Sequence, residues 1–185
     1  MIMLPGLIDP HTQPRGLPTD AYKEDFYTAT ASALAGGFTT ILDMPNNPKT
    51  PTVTRNLLQE KQTIAREQIL CDVGFIFGTT GKNLDQFAKV TPYVYGLKVF
   101  LSISTGNLII DLATFTNVCK RWTTKLPILL HVEEELVLPA LEIAQQFGHT
   151  VHISHVSSEK ELTQIIYAKE KGYQITGMTT GGKLA

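Results

Sequence analysis

The chain reads as an α/β fold: a (β/α)8-type barrel, incomplete, with about six to seven β/α units in 185 residues. Three observations predict it. Short apolar runs alternate strictly with amphipathic stretches, the pattern of a parallel sheet joined by right-handed crossovers. Polar and imidazole side chains gather at the C-terminal ends of several of those runs, where a β/α barrel builds its site. A doubly wound nucleotide-binding sheet would carry a glycine-rich turn after its first strand, and here that turn is His11-Thr-Gln-Pro-Arg15. The barrel is therefore favoured over the open doubly wound sheet.

The first strand enters on Leu7-Ile8 and turns polar at Asp9, His11, Gln13 and Arg15. Side chains alternate in extended chain, so these four odd-numbered residues are expected on one face, at a strand end opening into a site. The apolar approach argues against a solvated edge strand. Ala21 to Ala35 carries Phe26, Ala29, Thr30 and Ala33 at helical spacing, with Gly36-Gly37 as its stop. Phe38 to Met44 is a buried strand closed by Pro45-Asn-Asn-Pro48. Thr54 to Glu67 is a helix whose stripe is Leu57, Leu58, Lys61, Ile64 and Ala65. Further strands are expected at Cys71–Gly78, Tyr95–Leu101, Leu126–Val132 and Thr150–Val156, with a seventh beginning at Tyr173–Thr176. Helices fall between them at Leu84–Val90, Leu112–Trp122, Leu136–Phe147 and Lys160–Lys171. Seven strand starts do not complete a barrel, which runs to about 250 residues. The expectation is one partial barrel domain over residues 1–185, part of a longer polypeptide or completed from elsewhere, with an apolar edge left exposed.

Composition narrows the function classes. A formal net charge of -1 gives no electrostatic reason to expect nucleic acid or an anionic membrane as partner. No apolar run is long enough to span a bilayer, and Met1-Ile-Met-Leu4 is too short for a signal peptide. Cys71 and Cys119 lack metal-type spacing, so reduced thiols and a cytoplasmic location are expected.

The strand ends supply the candidates. His11, His131 and His155 come from the ends of three different strands that converge on one barrel axis, a geometry suited to a divalent metal. Lys98 sits inside an apolar strand, where an ammonium must be paired or lose its charge. Two readings stay open for it: carboxylation to a metal-bridging carbamate, or a rim lysine paired with a carboxylate such as Glu133. Arg15, beside His11, suits a bidentate clamp on a substrate carboxylate, and Asn46 is either its companion or a turn residue. By parity His152 is expected to face the helical layer, and His149 lies in the turn before the strand.

Pro5-Gly-Leu-Ile-Asp-Pro-His11 to Arg15, Lys23-Glu-Asp-Phe26, Ala33-Leu-Ala-Gly-Gly-Phe-Thr39 and Asp43-Met-Pro-Asn46 resemble the dihydroorotase branch of the amidohydrolase superfamily. Gly96-Leu-Lys-Val-Phe100, Leu130-His-Val-Glu133 and Val151-His-Ile-Ser-His-Val-Ser157 continue the match in order, over nearly the whole chain. The likeness is strongest to the dihydroorotase domain of multifunctional pyrimidine-synthesis proteins, with hydantoinases and allantoinases more distant. The resemblance implies a zinc-dependent barrel that interconverts N-carbamoyl-L-aspartate and dihydroorotate. It implies two zinc ions bridged by carboxylated Lys98, with His11 on the first and His131 and His155 on the second, and Arg15 and Asn46 on the substrate carboxylate. Gln13 stands where the family motif has a second histidine, which weakens the first metal site. Met178 stands where the family has an acid, and the family's general acid/base aspartate would fall beyond Ala185. A small-molecule substrate, homo-oligomers and aspartate transcarbamoylase are the expected partners. The departures keep two other expectations in view: a non-catalytic relative kept for assembly, and a truncated product.

Overall fold

The computed structural model describes residues 3–104 and 107–179. Met1, Ile2 and the end of the Thr176–Lys183 stretch lie outside the described residues. Among the described residues eight strands form: β1 (Leu7–Thr12), β2 (Phe38–Asp43), β3 (Asp72–Phe75), β4 (Phe77–Gly78), β5 (Leu97–Phe100), β6 (Ile128–His131), β7 (Val151–Ile153) and β8 (Ile175–Gly177). β1-β2-β3 make one sheet and β4-β5-β6-β7-β8 a second, every pair parallel and in sequence order. The Cys71–Gly78 strand is the seam between them. It leaves β2 at Phe75 and joins β5 at Phe77, while the Ile76 amide still donates to Asp43 O. The result is seven staves of a β/α barrel wall, with β1 and β8 outermost among the described strands.

Six helices alternate with the strands: α1 (Phe26–Ala35), α2 (Arg55–Gln68), α3 (Phe87–Val90), α4 (Leu112–Arg121), α5 (Val137–Gln146) and α6 (Glu159–Glu170). Local side chains set four of the starts. Asp25, Thr54, Asp111 and Ser158 each accept a hydrogen bond from an amide three residues on, satisfying an orphan first-turn donor. This places the start of α1 at Phe26, not Ala21, because Asp25 and Thr28 form a reciprocal capping box there.

Cross-strand register sorts the side chains into two faces. Leu97, Val99, Ile128, Leu130, Val151, Ile153 and Ile175 are buried in one apolar cluster with residues of α2, α4, α5 and α6. On the opposite face, Lys98 is paired with Leu129, Leu129 with His152, and His152 with Thr176. That row looks into the barrel.

β1 differs from expectation in two ways. Leu7 and Ile8 are 51% and 63% exposed, since no described strand pairs with the outer side of β1. Its register with β2 also shifts twice, between Leu7 and Ile8 and between Asp9 and Thr12. The strict one-face alternation of Asp9, His11, Gln13 and Arg15 therefore does not form. The strand ends at Thr12, and Arg15 takes a left-handed conformation (φ 66°).

Candidate functional site

Three imidazoles meet at the C-terminal end of the barrel. The rings of His11 and His155 are 4.5 Å apart between centroids, and those of His131 and His155 are 5.9 Å apart. β1 delivers His11, and the Asp9 carboxylate accepts the His11 amide (2.9 Å), holding the end of the strand in place. His131 closes β6, with Nε2 3.1 Å from Ile103 O and 3.8 Å from Glu133 Oε1. His155 lies just past β7, and its left-handed backbone (φ 62°) breaks the strand alternation and turns the ring toward His11.

Lys98 completes the group from β5. It is 1% exposed, Nζ lies 2.7 Å from Ser154 Oγ, and the ring of Phe100 lies 5.3 Å away. It takes part in no ion pair among the described residues, and Glu133 stands with His131 instead. Burial lowers the Lys98 amine to about 7, so the free base is accessible at neutral pH. A neutral amine is the form that reacts with carbon dioxide. Burial, then Lys98 and the other site histidines, lower His11 to about 3, so its imidazole is neutral. Its Nδ1 is buried without a hydrogen-bond partner among the described residues.

His152 belongs to this group, which corrects the expectation that it faces the helical layer. It lies in the inward row between Leu129 and Thr176, with Nδ1 2.8 Å from Thr176 Oγ1 and Nε2 buried without a partner among the described residues. The error has a physical origin. Parity holds only within the extended strand, and the left-handed turn at His155 brings residues of both parities inward.

A second group lies beside β1 and β2. Arg15 Nη1 donates to Asn46 O (3.2 Å), and Asn47 Nδ2 donates to Arg15 O (2.7 Å). Asn46 is 3% exposed and its Oδ1 is buried without a partner among the described residues, so it is more than a surface turn residue. Beneath them lies an ion pair that the sequence reading missed: Asp43 at the end of β2 and Lys61 on α2, 2.5 Å apart and both buried. Lys61 also reaches Asn47 Oδ1 (3.2 Å) and Met44 O (3.4 Å). Burial raises the Asp43 carboxyl, against the opposing pull of Lys61 and Arg15. The available signal was a lysine in the apolar stripe of α2.

The donor chemistry suits a divalent ion: three imidazoles, of which His11 is neutral with an orphaned ring nitrogen, and a buried lysine whose amine burial lowers to about 7. The nitrogens are not gathered at one point, however. Among the described residues no group of three or more His, Cys, Asp or Glu stands ready to hold a metal ion. Gln13 is half-buried just beyond β1.

With seven parallel staves and histidines at their C-terminal ends, the fold and site define a β/α-barrel scaffold with a candidate site at that end. Residues 2–180 match the amidohydrolase family, and the chain belongs to it. It is 36% identical over 178 residues to the multifunctional protein CAD of Squalus acanthias, covering 95% of this chain and 8% of that protein. It is 31% identical over 185 residues to a dihydroorotase of Halobacterium salinarum, covering 84% of this chain and 43% of the relative. The chain thus spans less than half the length of either. Its fold matches that of the inactive dihydroorotase-like domain of a Chaetomium thermophilum CAD-like multifunctional protein, with a TM-score of 0.83 and 23% identity. That match covers 95% of this chain and 52% of the other.

Proposed function

We propose that the chain is part of a zinc-dependent cyclic amidohydrolase of dihydroorotase type, interconverting N-carbamoyl-L-aspartate and dihydroorotate. The observation that carries the reading is a buried Lys98, without an ion-pair partner among the described residues, grouped with His11, His131 and His155. The identity to a CAD protein and a dihydroorotase supports the substrate class. In this reading His11, His131, His155 and carboxylated Lys98 would hold the zinc, two ions sharing Lys98. Bound zinc would polarise the amide carbonyl and lower the pKa of water.

The chain's own residues supply the rest. Arg15, with Asn46 beside it, presents a cation to the substrate carboxylate and fixes the orientation of the ring to be opened or closed. Burial lowers the Lys98 amine to about 7, which makes its free base, with a nitrogen lone pair available to carbon dioxide, accessible at neutral pH. A cytoplasmic location, a homo-oligomer and assembly with aspartate transcarbamoylase belong to the same proposal. No helix among the described residues is long and apolar enough to cross a membrane.

Gln13 and the unassembled donor set favour a second reading, in which a dihydroorotase-like chain has lost catalysis and serves assembly. Metal analysis separates the two. Near-stoichiometric zinc after purification in bicarbonate, lost in Lys98→Ala, supports the enzyme; a metal-free chain at neutral pH supports the assembly role. Orotate binding tests the carboxylate site. Arg15→Ala is expected to weaken it roughly 10- to 100-fold, the scale of a lost charge-assisted hydrogen bond.

A further inference from the structure

α6 holds the two loops that carry His131 and His155 through one buried carboxylate. Glu161 is 2% exposed and sits in the first turn of α6. It accepts the Ser157 amide (2.7 Å) and the Ser157 hydroxyl (3.1 Å), two residues beyond His155. Its other oxygen accepts the Glu134 amide (3.2 Å), three residues beyond His131. One turn along α6, Gln164 Nε2 donates to Glu134 O (3.1 Å) and Gln164 Oε1 accepts the Leu138 amide (3.0 Å). Glu134 is thereby held at both its amide and its carbonyl, in a left-handed conformation (φ 50°) that a non-glycine residue adopts at a cost.

An ordinary helix-capping role does not account for this. Ser158 already caps α6 by accepting the Glu161 amide (3.2 Å), and the Glu161 side chain reaches past the cap to two separate loops. The amides of Ser157 and Glu134 outweigh burial and hold the Glu161 carboxyl below the usual range, so it is charged at neutral pH. A charged acceptor shared by the two amides ties the two loops to one point.

We infer that Glu161 is a positioning residue for the candidate metal site, setting the separation of His131 and His155 by anchoring the loop after β6 to the loop after β7. Partners that orient metal ligands typically change metal affinity 10- to 100-fold when removed. The inference rests on reading those two histidines as ligands, and the experiment separates its failure from the failure of that reading.

The test titrates Co2+ alone, in bicarbonate and well below the unfolding transition, into wild type, Glu161→Ala, Glu161→Gln and Ser158→Ala. Amide hydrogen exchange is followed in parallel over residues 133–138 and 155–158. Glu161→Ala should bind Co2+ at least tenfold more weakly. Glu161→Gln, keeping one acceptor oxygen, should fall in between and supplies the answer if the alanine variant does not fold. Ser158→Ala should lower stability without changing Co2+ affinity. Exchange should quicken in both loops together in the Glu161 variants, with β5 unchanged. Unaltered Co2+ affinity in both Glu161 variants, or quickened exchange in one loop only, overturns the inference. If wild type binds no Co2+, the metal reading fails, and exchange in both loops decides the clamp by itself.

Discussion

Lys98→Met removes the amine from the barrel interior while keeping a straight side chain of similar length. In the folded chain the Lys98 amine titrates at about 7, against 10.5 when free. The unfolded state therefore holds a proton that the folded state has lost between about pH 7 and 10.5, and wild-type stability rises with pH across that window. Below it, burial of this one amine costs about 5 kcal/mol, at roughly 1.4 kcal/mol per pKa unit. By pH 9.5 the cost falls to about 1 kcal/mol. Methionine also leaves the buried Ser154 hydroxyl without Lys98, a loss of about 1–2 kcal/mol. The variant should therefore be more stable than wild type by about 3 kcal/mol near pH 6.5, with the advantage close to zero at pH 9.5. Urea denaturation followed by the fluorescence of Trp122, the one tryptophan and fully buried, measures it in metal-free buffer depleted of carbon dioxide. A variant less stable than wild type at pH 6.5, or an advantage that does not shrink with pH, would refute the reasoning. Adding bicarbonate should stabilise wild type alone, since only it has the buried low-pKa amine at position 98 to carboxylate.

Lys61→Met should cost about 3–5 kcal/mol by leaving Asp43 buried without its cation, and Asp43→Leu in the same chain should recover most of the loss. A urea midpoint unmoved by Lys61→Met would show that the pair contributes nothing. Acid should destabilise the fold from about pH 6.5 downward, because His11 stays neutral in the folded state to about 3 while its unfolded form takes up a proton. His11→Phe should flatten that part of the melting-temperature profile, and an unchanged slope would count against a neutral His11. The outer strand β1, with Leu7 and Ile8 exposed, and the groove formed by Leu162, Ile166 and Met178 beside β8 should make the 185-residue chain self-associate. Sedimentation should show this as concentration-dependent oligomers that Ile8→Lys combined with Ile166→Lys disperses; a wild-type monomer at high concentration would contradict it.

Much of the fold was legible because its signals are local. The alternation of apolar strands and amphipathic helices marks the parallel wall, and Ser158 or Thr54 sets a helix start within one turn of chain. Lys98, His131 and His155 stood out as polar residues in or just after apolar runs. The Asp25–Thr28 capping box is equally local and sets the start of α1 at Phe26, five residues after the Ala21 that the apolar and aromatic pattern suggests. The seam at Ile76 was not legible, because a strand that changes partners keeps the same apolar pattern.

By itself the sequence determined the order of β/α units and the kinds of donor at their ends: His11, Lys98, His131 and His155, with Arg15 and Asn46 nearby. Only the tertiary structure decided which of them meet. It turned His152 inward, because cross-strand register and not parity beyond the strand end sets a row. It paired Asp43 with Lys61 and anchored two loops on Glu161, contacts between residues 18 and 27 positions apart that no local pattern encodes. It also left β1 outermost, since a strand's inner or outer place depends on whether a neighbour is there to pair with it.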